Sequence, residues 1–246
     1  MVQTQTVPQA LGNLRLVIFD LDGTLIDSKL DLALSVNAVR KKMGLKPLPT
    51  EEIATYVGHG VRSLMRRALG EQATEEEVAE SLEFFLAHYG EHMLDNTVTY
   101  PGVREALGKL KVPHLAVLTN KPVRFSQTIL EGLGVSEYFA YVYGGNSFEQ
   151  KKPDPVGVVR LMTDLNVPPR ETMIVGDSDT DVLTGRNAGI WTCGVTYGFG
   201  AHTLKNAPPD FIIDDLRELP SILDGRDAKL KAQRDEHEEQ WRGDRE

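Results

Sequence analysis

The chain of 246 residues has little of several things, and each shortage excludes a class of protein. It contains one cysteine, Cys193, so no internal disulfide framework can hold it together and a reducing compartment suits it. No window approaches the roughly 18 consecutive apolar residues of a membrane span. The opening residues MVQTQTVPQA carry neither a basic region nor an apolar stretch of the signal-peptide kind. There is no surplus of positive charge either: the formal net charge is −9, the opposite of what a general nucleic-acid binder needs to displace phosphate counterions. The expectation is a soluble, unprocessed, cytoplasmic protein that binds neither membrane nor nucleic acid.

What is present is length enough for a large buried core, and two alternating textures. From Asp31 to about Asn96 the pattern is helical. Leu32, Val36, Val39 and Met43 recur at helical spacing before a stop at Gly44. A second helix is predicted over Val61 to Leu69. A third starts at Thr74, whose partner Glu77 completes a capping box, and carries Val78, Leu82, Phe85 and Tyr89 as a core stripe. On either side of this segment short apolar strands alternate with helices, the signature of a parallel sheet. The fold class is therefore α/β: a Rossmann-like parallel-sheet core at 11–27 and 97–225, interrupted by a small α-helical insert at 28–96. Residues 226–246, charged with mixed signs, read as a solvated tail.

Several strands end in polar residues that no core requires. VIFDLDGTLID, Val17 to Asp27, follows a buried-type run with Asp20 and Asp22. LAVLTN ends in Thr119 and Asn120, and TMIVGDSDTD brings Asp177 and Asp181. Lys152 stands in KKPDP before another helix. In an open parallel sheet, ligands bind at the carboxyl ends of the strands, where groups distant in sequence converge. Two carboxylates about 4 Å apart repel by roughly 4 kcal/mol at an effective dielectric of 20. A divalent cation removes that cost. An all-oxygen ligand set favours Mg2+, and the absence of a Cys or His cluster disfavours zinc. Carboxylates, a lysine and a hydroxyl-amide pair suit a phosphoryl group, with one aspartate free to attack phosphorus.

These residues carry a resemblance. DLDGT at Asp20 to Thr24, the threonine and asparagine of LTN, the lysine of KPDP and the GDSDTD run are similar, in order, to the four motifs of haloacid dehalogenase superfamily phosphatases, and within that superfamily most similar to the phosphoglycolate phosphatases. The likeness extends from about Leu14 to Leu223. It implies that Asp20 is nucleophile and metal ligand, and that Asp22 is the general acid/base and reaches the metal through its backbone carbonyl. Thr119 and the backbone of Asn120 would hold phosphate, Lys152 would neutralise Asp20 and phosphate, and Asp177, with Asp181 more weakly, would bind Mg2+. The helical insert would be a cap that opens and closes over the site. The implied reaction is hydrolysis of a small phosphorylated metabolite, 2-phosphoglycolate first, through an aspartyl-phosphate. A β-phosphoglucomutase-like phosphosugar mutase, a pyrophosphatase or another small-molecule phosphatase of the superfamily is the alternative. A dehalogenase is disfavoured, because that branch lacks the acid at the Asp22 position.

Plainer readings stand beside these. Thr119 and Asn120 are also residues that cap helices, Lys152 alone would be a solvated charge, and Asp181 is also a first-turn acid favoured by the helix dipole. In the insert, YVGHGVRSLMRR sets His59 between glycines with Arg62 close behind. These side chains either reach down to the non-phosphate end of an anionic substrate or decorate a hinge turn. Asp27 and Ser28 read as hinge, and Cys193 as core. Monomer and homodimer are both open.

Overall fold

The computed structural model describes residues 13–224. The expected charged tail at 226–246 lies outside the described residues, as do the outermost positions of the expected core, 11, 12 and 225.

Six parallel strands form the main sheet: β1 (Leu16–Phe19), β4 (His114–Leu118), β5 (Tyr141–Tyr143), β6 (Thr172–Gly176), β7 (Trp191–Val195) and β8 (Phe211–Ile213), in the order β5-β4-β1-β6-β7-β8. The central strand β1 is buried throughout, as a near-continuous apolar strand in a sheet covered on both faces should be. Its side chains alternate between two layers. Leu16 and Ile18 pack with Ala116, Leu118 and Ile174 on one face, together with Val158 and Leu161 of α7 (Val156–Leu165). Val17 and Phe19 face the other way, with Val117, Met173 and Val175, in a cluster that continues into the helical insert.

Register fixes where the site is. Phe19 lies beside Val117 on one side and Val175 on the other, so the three central strands end at one level. Asp20, Thr119 and Asp177 follow at that level, and the backbone stays tied there: Asp20 N–H donates to Val175 O at 2.9 Å and Thr119 N–H to Tyr143 O at 3.0 Å.

The insert leaves and re-enters the core through a two-stranded antiparallel ribbon, β2 (Ile26–Asp27) and β3 (Val98–Thr99). Between them run α1 (Lys29–Lys42), α2 (Thr50–Ala54), α3 (Val61–Leu69) and α4 (Glu75–His92). The predicted capping box forms, with Glu77 N–H donating to Thr74 Oγ1 and Thr74 N–H to the Glu77 carboxylate. At the root of the insert the buried carboxylate of Asp31 accepts four hydrogen bonds, from the backbone and side chain of both Asn96 and Thr97. After the ribbon, α5 (Val103–Lys109) and α6 (Val123–Gly132) cross between strands, and α8 (Asp179–Ala188) follows β6.

Helix α2 and strands β2, β3 and β7 go beyond the sequence expectations. Helix α2 is a single turn and β2 and β3 have two residues each, too short to show a period. In β7 the apolar run is broken by Thr192 and Gly194, yet four of its five residues are buried. Cys193 is buried on that strand beside Val175, a core residue as expected.

Candidate active site

The floor of the site is made by the loops that follow the strands. Asp20, Asp177 and Asp181 are all buried, and one carboxylate oxygen from each lies within 4.8 Å of the others. Lys152 reaches them from its own loop: its buried Nζ sits 2.9 Å from Asp20 Oδ1 and 2.6 Å from Asp181 Oδ1. The first contact is one of charge, since Asp20 Oδ1 receives no aligned hydrogen bond although it is shut off from water. The Lys152 ammonium is shared with Asp181, so a single lysine serves two buried carboxylates.

Electrostatics point the same way. Burial, opposed by Lys152 and reinforced by Asp181, pushes the Asp20 carboxyl up to about 6. Burial and the charges of Asp181 and Asp20 raise Asp177 well above the ordinary carboxylate range. Burial alone would lower the Lys152 ammonium, and the two aspartates outweigh it and hold it raised. One lysine therefore does not balance three buried acids. The donor set, all oxygen and converging, fits a hard divalent ion of the Mg2+ kind.

Glycines let the chain close around this cluster. A Cβ on Gly23, whose φ is +83°, would come within 2.2 Å of Asp177 Oδ2, and one on Gly198 would meet Asp177 Cβ at 2.2 Å. Gly200 N–H donates to Asp177 Oδ2 at 2.8 Å and fixes that carboxylate.

Asp181 is both a first-turn acid and a member of the three-acid cluster. It completes the capping box of α8, accepting from Ser178 N–H and Oγ–H through Oδ2, and its Oδ1 faces Lys152. Thr119 is buried at the cavity wall, where its Oγ1 accepts from Lys121 N–H at 3.3 Å. The Asn120 side chain ties three segments together. Its Oδ1 accepts from Lys152 N–H, and its Nδ2 donates to Lys152 O and to Gly58 O in the insert.

Asp22 lines the cavity with a side chain separate from the three-acid cluster. Oδ1 accepts from Ser28 Oγ–H at 2.6 Å, and both oxygens accept from Lys121 Nζ, at 3.0 and 3.1 Å. Lys121 was not anticipated, because a lysine after a strand reads as solvated. The signal available was its position directly behind Thr119 and Asn120. Its Nζ also donates to the Tyr89 hydroxyl at 2.7 Å. Burial disfavours the ammonium, and Asp22 with Tyr89 overrides it, leaving Lys121 above its ordinary pKa. Tyr89 belongs to the core stripe of α4, as predicted, yet its hydroxyl is at the site. Burial first, with Asp22 adding to it, pushes the phenol up to about 12, so it keeps its proton at neutral pH.

His59 and Arg62 are placed otherwise than a downward-reaching pair would be. Gly58 and Gly60, with φ of +114° and +83°, turn the loop so that its backbone lies on the floor. Gly58 O meets Asn120, and a Cβ on Gly60 would come within 3.0 Å of Lys151 Nζ. His59 is exposed, and only its glycine neighbours line the cavity. The Arg62 guanidinium pairs with Glu75 on the insert's surface, in company with Arg66. The hinge-turn alternative is the one this geometry matches.

Between floor and insert lies a cavity of about 50 Å³. Asp20, Asp22, Thr119 and Asp177 form its base, and Val57, Leu64 and Phe85 are among the roof residues.

The chain resembles known proteins over most of its length. It is 40% identical over 220 residues to a phosphoglycolate phosphatase of Pseudomonas fluorescens, covering 85% of this chain and 80% of that one. It is 38% identical over 219 residues to a phosphoglycolate phosphatase of Haemophilus influenzae, covering 85% and 98%. The crystal structure of a predicted phosphoglycolate phosphatase from Haemophilus somnus superimposes with a TM-score of 0.81 at 34% identity, over 85% of this chain and 98% of that one. Residues 17–195, from the first buried strand to the end of β7, match the haloacid dehalogenase-like hydrolases, and the chain belongs to that family.

Proposed function

We propose that this phosphoric monoester hydrolase is a Mg2+-dependent phosphatase of small metabolites that works through an aspartyl-phosphate, with 2-phosphoglycolate as its substrate and glycolate and phosphate as products. The observation that carries the mechanism is the convergence of Asp20, Asp177 and Asp181 on one point, three buried acids against the single ammonium of Lys152. The names of the relatives support the choice of substrate.

In this reading Asp20, Asp177 and Asp181, with the Asp22 backbone carbonyl, would hold Mg2+, and the ion would supply positive charge to the phosphoryl oxygens. Every other role falls to the chain. Asp20 attacks phosphorus with one carboxylate oxygen, and the bond from phosphorus to the ester oxygen breaks. Asp22, positioned by Ser28 and Lys121, gives its proton to the departing oxygen. It then takes a proton from the water that hydrolyses the acyl-phosphate. Lys152 keeps Asp20 oriented, and Thr119 and Asn120 hold phosphate oxygens. Residues 28–96 act as a cap over the core of 11–27 and 97–225, and closure excludes water from the developing charge. With the insert standing over the strand ends, the substrate is a small metabolite and phosphoproteins are excluded. None of the helices in the described residues is long and apolar enough to cross a membrane, which suits a cytoplasmic enzyme.

The test is phosphate release over a panel of small phosphate esters with and without Mg2+. Mg2+-dependent release, fastest from 2-phosphoglycolate, is expected. Conversion of β-glucose 1-phosphate to glucose 6-phosphate without phosphate release would replace the phosphatase by a phosphosugar mutase. Full activity with calcium in place of magnesium would contradict a strict octahedral site.

A further inference from the structure

The substrate proposed above is anionic at both ends, and the metal and Lys152 answer only the phosphate. Among the described residues that line the cavity, Lys121 is the sole cation. The insert's contribution to the wall is apolar or glycine with one exception, Tyr89. These two residues touch, through the 2.7 Å hydrogen bond from Nζ and with the ammonium 4.5 Å from the ring centroid.

The packing of Tyr89 does not explain its hydroxyl. The ring stacks on Phe85 with centroids 5.4 Å apart and meets Phe125 edge-on at 5.5 Å, contacts a phenylalanine would make equally well. The hydroxyl accepts from Lys121 and donates to no group among the described residues. It is a buried donor, at a cavity wall, without an acceptor. The Lys121 ammonium is turned to Asp22 and Tyr89, so the donor still to spare in this pair is the Tyr89 O–H. A hydroxyl that accepts from an ammonium is polarised into a stronger donor.

On the reading of the chain as a phosphatase of an anionic monoester, we infer that Tyr89 and Lys121 form the recognition element for the substrate's non-phosphate end: the Tyr89 hydroxyl donates to a carboxylate oxygen, and Lys121 supplies the positive field behind it. Because Lys121 also holds Asp22, the same pair joins recognition to the acid that releases the leaving oxygen. Neither residue belongs to the glycine turn that carries His59, and neither depends on Arg62.

The experiment compares 2-phosphoglycolate with ethyl phosphate, an ester with a methyl group in place of the carboxylate, in wild type, Tyr89→Phe and Lys121→Met. Thermal melting checks the fold of each variant. Losing a hydrogen bond to a charged group should lower kcat/KM of Tyr89→Phe for 2-phosphoglycolate by about 10- to 100-fold, mostly through KM. The fall for ethyl phosphate should be at least about tenfold smaller, so the preference between the esters collapses. Lys121→Met should lower both rates through Asp22, and 2-phosphoglycolate by more. If it does not fold, Tyr89→Phe decides alone. A parallel fall on both esters, or an unchanged preference, overturns the recognition role and leaves a structural one. A wild type that hydrolyses both esters equally well also overturns it, while the phosphatase reading stands. A wild type that releases phosphate from neither ester ends both.

Discussion

The two walls of the cavity are built on opposite principles. The floor is a set of buried charges held by one another: Lys152 between Asp20 and Asp181, Lys121 on Asp22, Asn120 across three loops. The roof presents aliphatic and aromatic side chains, a bare glycine turn and one hydroxyl, while its charges, Arg62, Arg66 and Glu75, pair on the outer surface. Chemistry needs groups preorganised to a fraction of an ångström, which strand ends in register provide. Selection needs a shaped surface that can move. The difference teaches that this chain concentrates charge at the strand ends and keeps it off the face that the insert turns to the cavity.

The comparison breaks first if the floor is not the seat of reaction. Asp20→Asn should lower phosphate release by about 10⁴-fold or more, because an amide cannot form the acyl-phosphate. The variant should stay folded, and near-normal turnover would remove Asp20 from the nucleophile's role. Asp22→Asn should lower kcat by about 10² to 10⁴ while substrate still binds, read by steady-state kinetics. A change confined to KM would make Asp22 a binding group only.

The next effect is one of metal and pH. The folded-state pKa of Asp20 is raised from 3.8 to about 6, and that of Asp177 moves in the same direction. A raised carboxyl holds its proton more firmly folded than unfolded. Its stabilisation is present below 3.8 and lost as pH rises through about 6. The metal-free protein should therefore lose thermal stability across that window. Mg2+ should restore it, with a larger rise in Tm at about pH 7.5 than at about pH 5, where protons compete with the ion. Asp177→Asn should weaken apparent Mg2+ affinity, with partial rescue at high metal. Equal Mg2+ dependence in variant and wild type would take Asp177 out of the metal site. The smallest effect belongs to the roof's outer face: Arg62→Ala should change kcat/KM for 2-phosphoglycolate by no more than about twofold, as for an exposed surface substitution. A large selective loss there would bring Arg62 back to the substrate.

What the sequence discloses follows from how each residue's role is encoded. Asp20, Asp22 and Asp177 were legible because acids at the end of a buried strand contradict the local pattern, and a contradiction is informative; Lys152, which alone reads as a solvated charge, was legible only through its place in the order of motifs. The helices at 61–69 and from Thr74 were legible through period and capping box. Tyr89 was hidden because its ring obeys the helical period completely, and only the hydroxyl, which a phenylalanine would lack, marks a second role. Lys121 was hidden because burial of a lysine depends on partners from Asp22 and from α4, far away in the chain. His59 and Arg62 stood open between substrate contact and hinge turn for a different reason. A glycine-flanked turn announces that the chain bends, and the direction in which it presents its side chain is set by φ values that the letters do not give.

The clamp at Asp31 has a meaning in mechanical terms. Its carboxylate grips Asn96 and Thr97, so the outgoing and returning chains of the cap are joined at one buried point. A segment anchored in this way behaves as a cassette in a single socket. Its internal loops, such as the exposed turn around Gly44, lie beyond that socket and can be lengthened or exchanged without pulling on the strand ends below. The strand ends thus keep their geometry while the outer loops of the insert are free to diverge, with Gly58 and Tyr89 as the points where the insert still touches the floor.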